Sequence, residues 1–313
     1  MLRDSRVGVM VPAFNEEAFI GGVISSMPAF VDDVIVVDDA STDGTFDAAR
    51  RSCDPRVTVI RSPGNRGVGG AMVLGFDAAL ARGCDLVAKM DGDGQMSPEH
   101  LAALLDPLVT DGYDYTKGNR FLSPESLTVM PLHRLLANIA LTFLTKIASG
   151  YWHVFDPQNG YVAITSRALR SLKLDRIHRG YFFENDMLVQ LNLHSARVRD
   201  VAIPARYAHE VSDVSFANIA LTFPVLLCRR FFRRIITRYV LMDFSPIALF
   251  LFLGLGLFLW GGFFGVFLWV RTILSGIATP TGSIMLALVP LVLGFQLVLQ
   301  AVVLDIQEAQ KLR

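Results

Sequence analysis

Residues 247–270 and 284–304 contain no Asp, Glu, Lys or Arg, and these two runs constrain the chain more than any other feature of it. A helix rises about 1.5 Å per residue and needs about 20 apolar residues to cross the hydrocarbon core, so each run is long enough to span a bilayer. The alternative, a buried helix in a large soluble core, is the weaker one because core helices are rarely this apolar on every face. Gly254, Gly256, Gly261, Gly262 and Gly265 thin the first run. They suit close helix approach, but glycine is common in membrane helices and no dimerisation motif is assigned.

The basic residues set the expected orientation. Arg229, Arg230, Arg233, Arg234 and Arg238 precede the first run, Arg271 lies in the connection, and Lys311 and Arg313 follow the second run. The positive-inside bias then places the N-terminal region and the extreme C-terminus in the cytoplasm, joined by a membrane hairpin. The Arg cluster reads as a membrane-surface anchor. Phe216, Ile219, Phe223, Leu226 and Leu227 recur near helical spacing ahead of it, so 215–240 is expected to lie along the bilayer surface. The expected organisation is a cytoplasmic domain over 1–210, an interfacial amphipathic segment over 211–243 and a transmembrane hairpin over 244–313. The apolar run 7–14 is too short for a signal peptide and is interrupted at once by Asn15, Glu16 and Glu17.

The 29 basic and 29 acidic side chains cancel, so no global field recruits nucleic acid. Cys53, Cys84 and Cys228 have neither metal-ligand spacing nor an even count, and read as reduced structural thiols.

Within the N-terminal region, strand-length apolar runs recur at 7–13, 34–38, 57–61 and 85–90, each separated by room for a helix. This alternation predicts an α/β fold with a mostly parallel sheet. Ligands collect at the carboxyl ends of such strands, where the first, second and fourth runs deliver Asn15 and Glu16, Asp38 and Asp39, and Asp91 and Asp93. Two carboxylates one residue apart, with Gly92 allowing a sharp turn, can share a hard divalent cation such as Mg2+ or Mn2+. Gly64-Asn-Arg-Gly-Val-Gly-Gly-Ala71 looks suited to phosphate, because its glycines expose N–H groups ahead of a helix, but such turns are too common to assign a dinucleotide site.

Three motifs in register, Val11-Pro-Ala-Phe-Asn-Glu16, Val36-Val-Asp-Asp-Ala-Ser-Thr-Asp-Gly-Thr45 and Met90-Asp-Gly-Asp-Gly-Gln95, resemble the successive signatures of family 2 glycosyltransferases over roughly the first 210 residues. The resemblance implies a GT-A (Rossmann-like) fold, a nucleotide-diphospho-sugar donor and inversion at the anomeric carbon. It places Pro12, Asn15, Glu16, Asp38 and Asp39 at the nucleoside, and Asp91 and Asp93 at the metal and diphosphate. A cytoplasmic domain with a short membrane tail looks most like the polyprenyl-phosphate glycosyltransferases, the group of dolichol-phosphate mannose and glucose synthases. Lys117-Gly-Asn-Arg120 resembles a strand end of that group. Arg134 and Asn138 resemble its pair on the helix that receives lipid phosphate, and their i, i+4 spacing puts both on one helix face.

Asp156-Pro-Gln-Asn-Gly160 and Tyr181-Phe-Phe-Glu-Asn-Asp186 resemble the acceptor-side loop and the late acidic motif. The resemblance makes Gln158, Asn159, Glu184 and Asp186 candidates for the sugar, Arg120, Arg134 and Asn138 candidates for the acceptor phosphate, and Asp93, Glu184, Asp186 and Arg120 candidates for the chemistry. A hydroxyl acceptor needs a carboxylate base, whereas a polyprenyl phosphate is already anionic at neutral pH. Bland alternatives stand beside these readings: Arg134 snorkelling from a core helix over 131–148, and Asn185 or Asp186 capping a helix over 186–194. No Gln-x-x-Arg-Trp motif of processive synthases occurs.

The expected activity is transfer of one sugar from GDP-mannose or a UDP-hexose to a membrane polyprenyl phosphate. The two alternatives are transfer to a lipid or glycan hydroxyl with Asp186 as base, and a noncatalytic nucleotide-binding scaffold. Homo-oligomerisation through the membrane helices is left open.

Overall fold

The computed structural model describes residues 1–122, 132–204 and 216–312, and the expected boundary at residue 210 lies outside them. The four apolar runs form strands Val7–Ala13 (β1), Asp33–Asp38 (β2), Val57–Arg61 (β3) and Leu86–Lys89 (β4), all parallel to one another. β1, β2 and β4 are buried along their whole length, which is why they read as continuous apolar runs. Tyr115–Asn119 (β5), Val162–Thr165 (β6) and Val198–Ala202 (β7) complete a seven-stranded sheet of order β3-β2-β1-β4-β6-β5-β7. β6 is antiparallel to β4 and β5, while β7 is parallel to β5, so one strand opposes the rest.

Alternate strand residues feed two apolar cores, one on each face of the sheet. Met10, Ile35, Val37 and Val87 pack with helices Val68–Ala81 and Phe183–Leu193. Val9, Val11, Val36 and Ala88 pack with Ile20–Ser25 and Leu101–Thr110. In chain order the helices are α1 (Ile20–Ser25), α2 (Thr45–Arg50), α3 (Val68–Ala81), α4 (Leu101–Thr110), α5 (Leu132–Ser149), α6 (Ser166–Ser171), α7 (Phe183–Leu193), α8 (Phe216–Ile236), α9 (Pro246–Ser275) and α10 (Thr281–Gln310). A π-helical stretch, Thr237–Met242, follows α8.

The chain divides into two compact units, Met1–Phe231 with Leu312, and Phe232–Lys311. In the first unit, α8 turns Phe223 and Leu227 onto Phe182 and Ala148 and leaves Leu221 and Val225 exposed. In the second, α9 and α10 form an antiparallel hairpin whose backbones approach closely at glycines. A Cβ at Gly254 would lie 2.9 Å from the Gly294 carbonyl, and one at Gly261 would lie 2.6 Å from the Ala287 carbonyl. Gly256, Gly262 and Gly265 have no such close neighbour.

Only 28% of the most apolar window of α9 and 17% of that of α10 is buried. A soluble core helix would hide these side chains, so the exposed apolar faces are candidate membrane-spanning surfaces.

The basic cluster does not act as one anchor. Arg234 is fully buried, its Nη1 and Nη2 donating to Asp305 Oδ1 and Oδ2 at 2.7 and 2.9 Å, and the Tyr239 hydroxyl donates to the same carboxylate at 2.7 Å. A buried guanidinium needs a paired carboxylate more than it needs lipid headgroups, which is why Arg234 leaves the surface role expected for it.

Candidate active site

The strand directions bring the carboxyl ends of β1, β2, β4 and β5 and the start of β6 to one rim. Ala13 lies opposite Asp38, and both Lys89 and Lys117 lie opposite Val162. Pro12 is the penultimate residue of β1. Beyond it Asn15 takes a left-handed φ of 58°, which asparagine tolerates. Its N–H donates to Ser41 Oγ at 3.0 Å, and its Oδ1 accepts the Thr42 N–H at 2.9 Å. The Glu16 N–H donates to Thr45 Oγ1 at 2.7 Å. Asp38 is buried beside Arg61 Nε at 3.3 Å, and the Asp39 carboxylate accepts the Arg66 N–H at 2.9 and 3.1 Å. The nucleoside candidates therefore share one braced rim.

The glycine-rich loop serves packing here. A Cβ at Gly67 would lie 2.8 Å from the Arg179 carbonyl, a Cβ at Gly69 would overlap the His178 carbonyl, and the Gly70 N–H donates to the Arg179 carbonyl at 3.1 Å. At these positions the loop is in close contact with the backbone of 178–180, a segment more than a hundred residues away.

A cleft of about 200 Å3 opens at the same rim, lined by Asp91, Asp93, Gln95, Arg120, Gln158 and Asn159, among others. Asp93 Oδ1 accepts the Gln95 N–H at 2.9 Å. Arg120 forks onto buried Asp156, with Nε to Oδ2 at 2.7 Å and Nη2 to Oδ1 at 2.9 Å, a geometry that fixes the guanidinium plane. Gln158 Nε2 donates to Asn185 Oδ1 at 3.2 Å, and Asn159 Oδ1 accepts the Tyr161 N–H at 3.0 Å. Asn138 lies one turn from Arg134 on α5, and the Arg134 side chain lies outside the described residues.

Under the carboxylates runs a charged layer whose central cation, Lys89, belongs to none of the motifs. Lys89 is 2% exposed, and its Nζ lies 2.9 Å from Asp91 Oδ1 and 3.5 Å from Glu184 Oε1. Burial opposes its charge, but Asp91 and Glu184 outweigh burial and hold the ammonium above the ordinary lysine value. Lys117 donates to the Asn159 carbonyl, and burial pulls its pKa down to about 8 against the opposing pull of Glu184 and Asp156. The one available signal was a lysine ending an otherwise apolar strand two residues before Asp91.

The late acidic motif divides. α7 starts at Phe183 with Phe182 as its cap residue, so Glu184, Asn185 and Asp186 all sit inside the helix and neither Asn185 nor Asp186 caps it. The helix thus begins three residues before the expected 186. Glu184 faces Lys89. Asp186 is fully buried, and its Oδ2 accepts from Arg230 Nη2 at 2.6 Å and from the His178 N–H at 2.9 Å. Arg230 is thereby a second member of the basic cluster drawn inward.

Among the described residues no three acidic, histidine or cysteine side chains group as metal ligands. Asp91 and Asp93 nevertheless fit a hard cation of the kind that takes one or two carboxylates and completes its shell with phosphate and water.

The candidate nucleoside residues lie at the parallel-strand ends and a carboxylate pair lines the cleft, and comparison with known proteins gives the class, that of glycosyl transferases. Residues 8–173, more than half the chain, match the glycosyl transferase family 2 model, and the chain belongs to that family. It is 34% identical to the undecaprenyl-phosphate mannosyltransferase of Micrococcus luteus over 205 residues, covering 63% of this chain and 82% of the relative. It is 32% identical to the polyprenol monophosphomannose synthase of Mycolicibacterium smegmatis over 225 residues, covering 68% and 83%. It is 28% identical to the UDP-N-acetylglucosamine–dolichyl-phosphate N-acetylglucosaminyltransferase of Methanococcus voltae over 239 residues, covering 72% and 94%. The fold matches glucosyl-3-phosphoglycerate synthase of Mycobacterium tuberculosis, solved with Mn2+ and UDP, at a TM-score of 0.53 and 22% identity over 75% of this chain and 80% of that one.

Proposed function

We propose that the protein transfers one sugar from a nucleotide-diphospho-sugar to a polyprenyl phosphate at the cytoplasmic membrane face, with inversion at the anomeric carbon and release of a nucleoside diphosphate. The observation that carries the choice of acceptor is the engagement of Asp186. A general base must reach the proton it removes, whereas this carboxylate is buried and held by Arg230 and the His178 N–H. An anionic phosphate oxygen needs no base, and the relatives named above act on polyprenyl phosphates by name.

In this reading Pro12, Asn15, Glu16, Asp38 and Asp39 receive the nucleoside. Asp91 and Asp93 hold Mg2+ or Mn2+, which supplies charge neutralisation to the leaving diphosphate when bound. Arg120, with Arg134 and Asn138 on α5, receives the acceptor phosphate, and the fork to Asp156 keeps Arg120 from collapsing onto the metal-side carboxylates. Gln158, Asn159 and Glu184 orient the sugar, and Asp186 sets the position of the loop beneath it. Residues 1–210 form the catalytic domain, 211–243 the interfacial segment and 244–313 the anchor. The exposed Leu221 and Val225 of α8 and Ile139 and Phe143 of α5 support a lipid-facing side on the catalytic unit.

The test uses full-length protein in detergent with Mg2+ or Mn2+, a polyprenyl phosphate and a panel of labelled UDP- and GDP-sugars, counting label that enters organic solvent. Label from one donor that requires the lipid phosphate establishes the reaction and names the sugar. Metal-dependent donor binding with label only on hydroxyl acceptors would restore Asp186 as a base, and no nucleotide-sugar binding would leave a scaffold. Reporter fusions at residue 1 and within 276–280 test the orientation, with the first expected in the cytoplasm and the second outside.

A further inference from the structure

Lys89 occupies an unusual place for a cation. It ends β4, a strand buried on both faces, and its side chain enters the core beside α7 instead of reaching solvent. Its Nζ approaches both oxygens of Asp91, at 2.9 and 3.3 Å, and Glu184 Oε1 at 3.5 Å. The fold makes room for this contact from across the sheet. A Cβ at Gly160 would overlap the Lys89 ammonium and stand 3.1 Å from Asp91 Oδ2. Glycine at 160 is what lets the ammonium and the carboxylate meet.

We propose that Lys89 is a resident counter-cation that stops the Asp91 and Asp93 pair from holding a divalent ion by itself, so that the ion is taken up only together with the donor's diphosphate. The inference rests on the reading of Asp91 and Asp93 as the metal-side carboxylates. A buried ammonium within hydrogen-bond reach of Asp91 competes with any cation for the same oxygens and repels it at short range, where the effective dielectric is low. Asp91 and Asp93 offer a dication two negative charges, and the ammonium shared by Asp91 and Glu184 offsets part of them. A diphosphate adds several more, which reverses the balance and completes the oxygen shell that a hard cation requires. Glu184 gives the displaced ammonium a second acceptor inside the core, so Lys89 can yield Asp91 without leaving its burial.

Metal and nucleotide are then coupled ligands, and the coupling is reciprocal: each raises the affinity of the other by the same factor. Loading of the site follows the donor, and the spent nucleoside diphosphate leaves with its ion. No divalent ion stays behind to occupy the cleft between turnovers.

The experiment measures Mn2+ binding to the full-length protein in detergent by electron paramagnetic resonance of free Mn2+, without nucleotide and with saturating UDP or GDP. Wild type should bind Mn2+ weakly alone and at least tenfold more tightly with its cognate nucleotide. Lys89→Met should gain at least tenfold in affinity for Mn2+ alone and lose most of the coupling. Lys117→Met is the control, because it removes a second buried ammonium that donates to the Asn159 carbonyl and not to Asp91. It should change binding of Mn2+ alone less than twofold. Lys89→Gln carries the same expectation and serves if the Met variant does not keep the wild-type melting profile. If wild type shows the coupling and neither Lys89 variant binds Mn2+ alone more tightly, or if Lys117→Met does as much, the inference is overturned and the metal-site reading stands. Absence of Mn2+ binding with every nucleotide overturns both.

Discussion

Replacing Arg230 with Met strands the Asp186 carboxylate. In the intact protein Asp186 has no solvent exposure and the Arg230 side chain is 14% exposed, at 2.6 Å. Removing one partner of a buried ion pair costs about 3–5 kcal/mol, because the other charge is left without compensation. Asp186 keeps the His178 N–H, and some water reaches the position of Arg230, so the expected cost lies near the low end, about 3 kcal/mol. For a unit of this size that corresponds to a fall in melting temperature of roughly 6–12 °C. Asp186→Asn alone leaves a cation facing an amide, whereas the double variant removes both charges. The cycle should therefore show a coupling of about 2 kcal/mol.

The assay is thermal unfolding of the full-length protein in detergent by circular dichroism, with transfer measured on the same samples. A drop under 2 °C for Arg230→Met with an additive cycle would refute the argument that the pair is buried and structural. Transfer gives an independent check. If Asp186 were a base, Asp186→Asn would lose about a hundredfold or more in turnover in every background. As a positioning residue, it should recover much of its activity when Arg230→Met is added.

Asp93→Asn should abolish metal-dependent transfer, and chelation should silence the wild type until Mg2+ or Mn2+ is restored. Lys117 carries a pH signature: burial lowers its folded pKa to about 8, below that of the unfolded chain, so its destabilisation is fully present below pH 8 and is relieved as pH rises from 8 towards 10.5. The stability gained by Lys117→Met should accordingly be about 3 kcal/mol larger at pH 7 than at pH 10.5, measured by paired melts. Gly69→Ala drives a Cβ into the His178 carbonyl and should cost about 1–3 kcal/mol, whereas Gly64→Ala, with open space around it, should leave the melting temperature within a degree or two.

Strands β1 to β4 were legible because burial on both faces makes a parallel strand read as an apolar run, and their polar ends announced the rim. β5 was harder, since Thr116, Lys117 and Asn119 look like surface residues although all are buried. Their polarity is matched by partners distant in sequence, such as the Asn159 carbonyl for Lys117 and Asp200 for Asn119. The same distance explains the arginine cluster. Nothing local separates Arg230 and Arg234 from their neighbours; what does so is Asp186, 44 residues upstream, and Asp305, 71 residues downstream. The glycine loop is ambiguous for a related reason, because exposed N–H groups and close backbone packing demand the same residue. Composition at one position cannot distinguish a ligand from another segment of the same chain.

The Arg234 and Asp305 pair sets a schedule for biosynthesis. Arg234 is made 71 residues before its carboxylate, with α9 and most of α10 between them. At ribosomal speeds of about 5–20 residues per second, this guanidinium waits roughly 4–14 s for its partner while α9 and most of α10 are made. Its pairing therefore cannot precede synthesis of α10 as far as Asp305: only a chain whose hairpin has folded back brings this carboxylate to the guanidinium and to Tyr239.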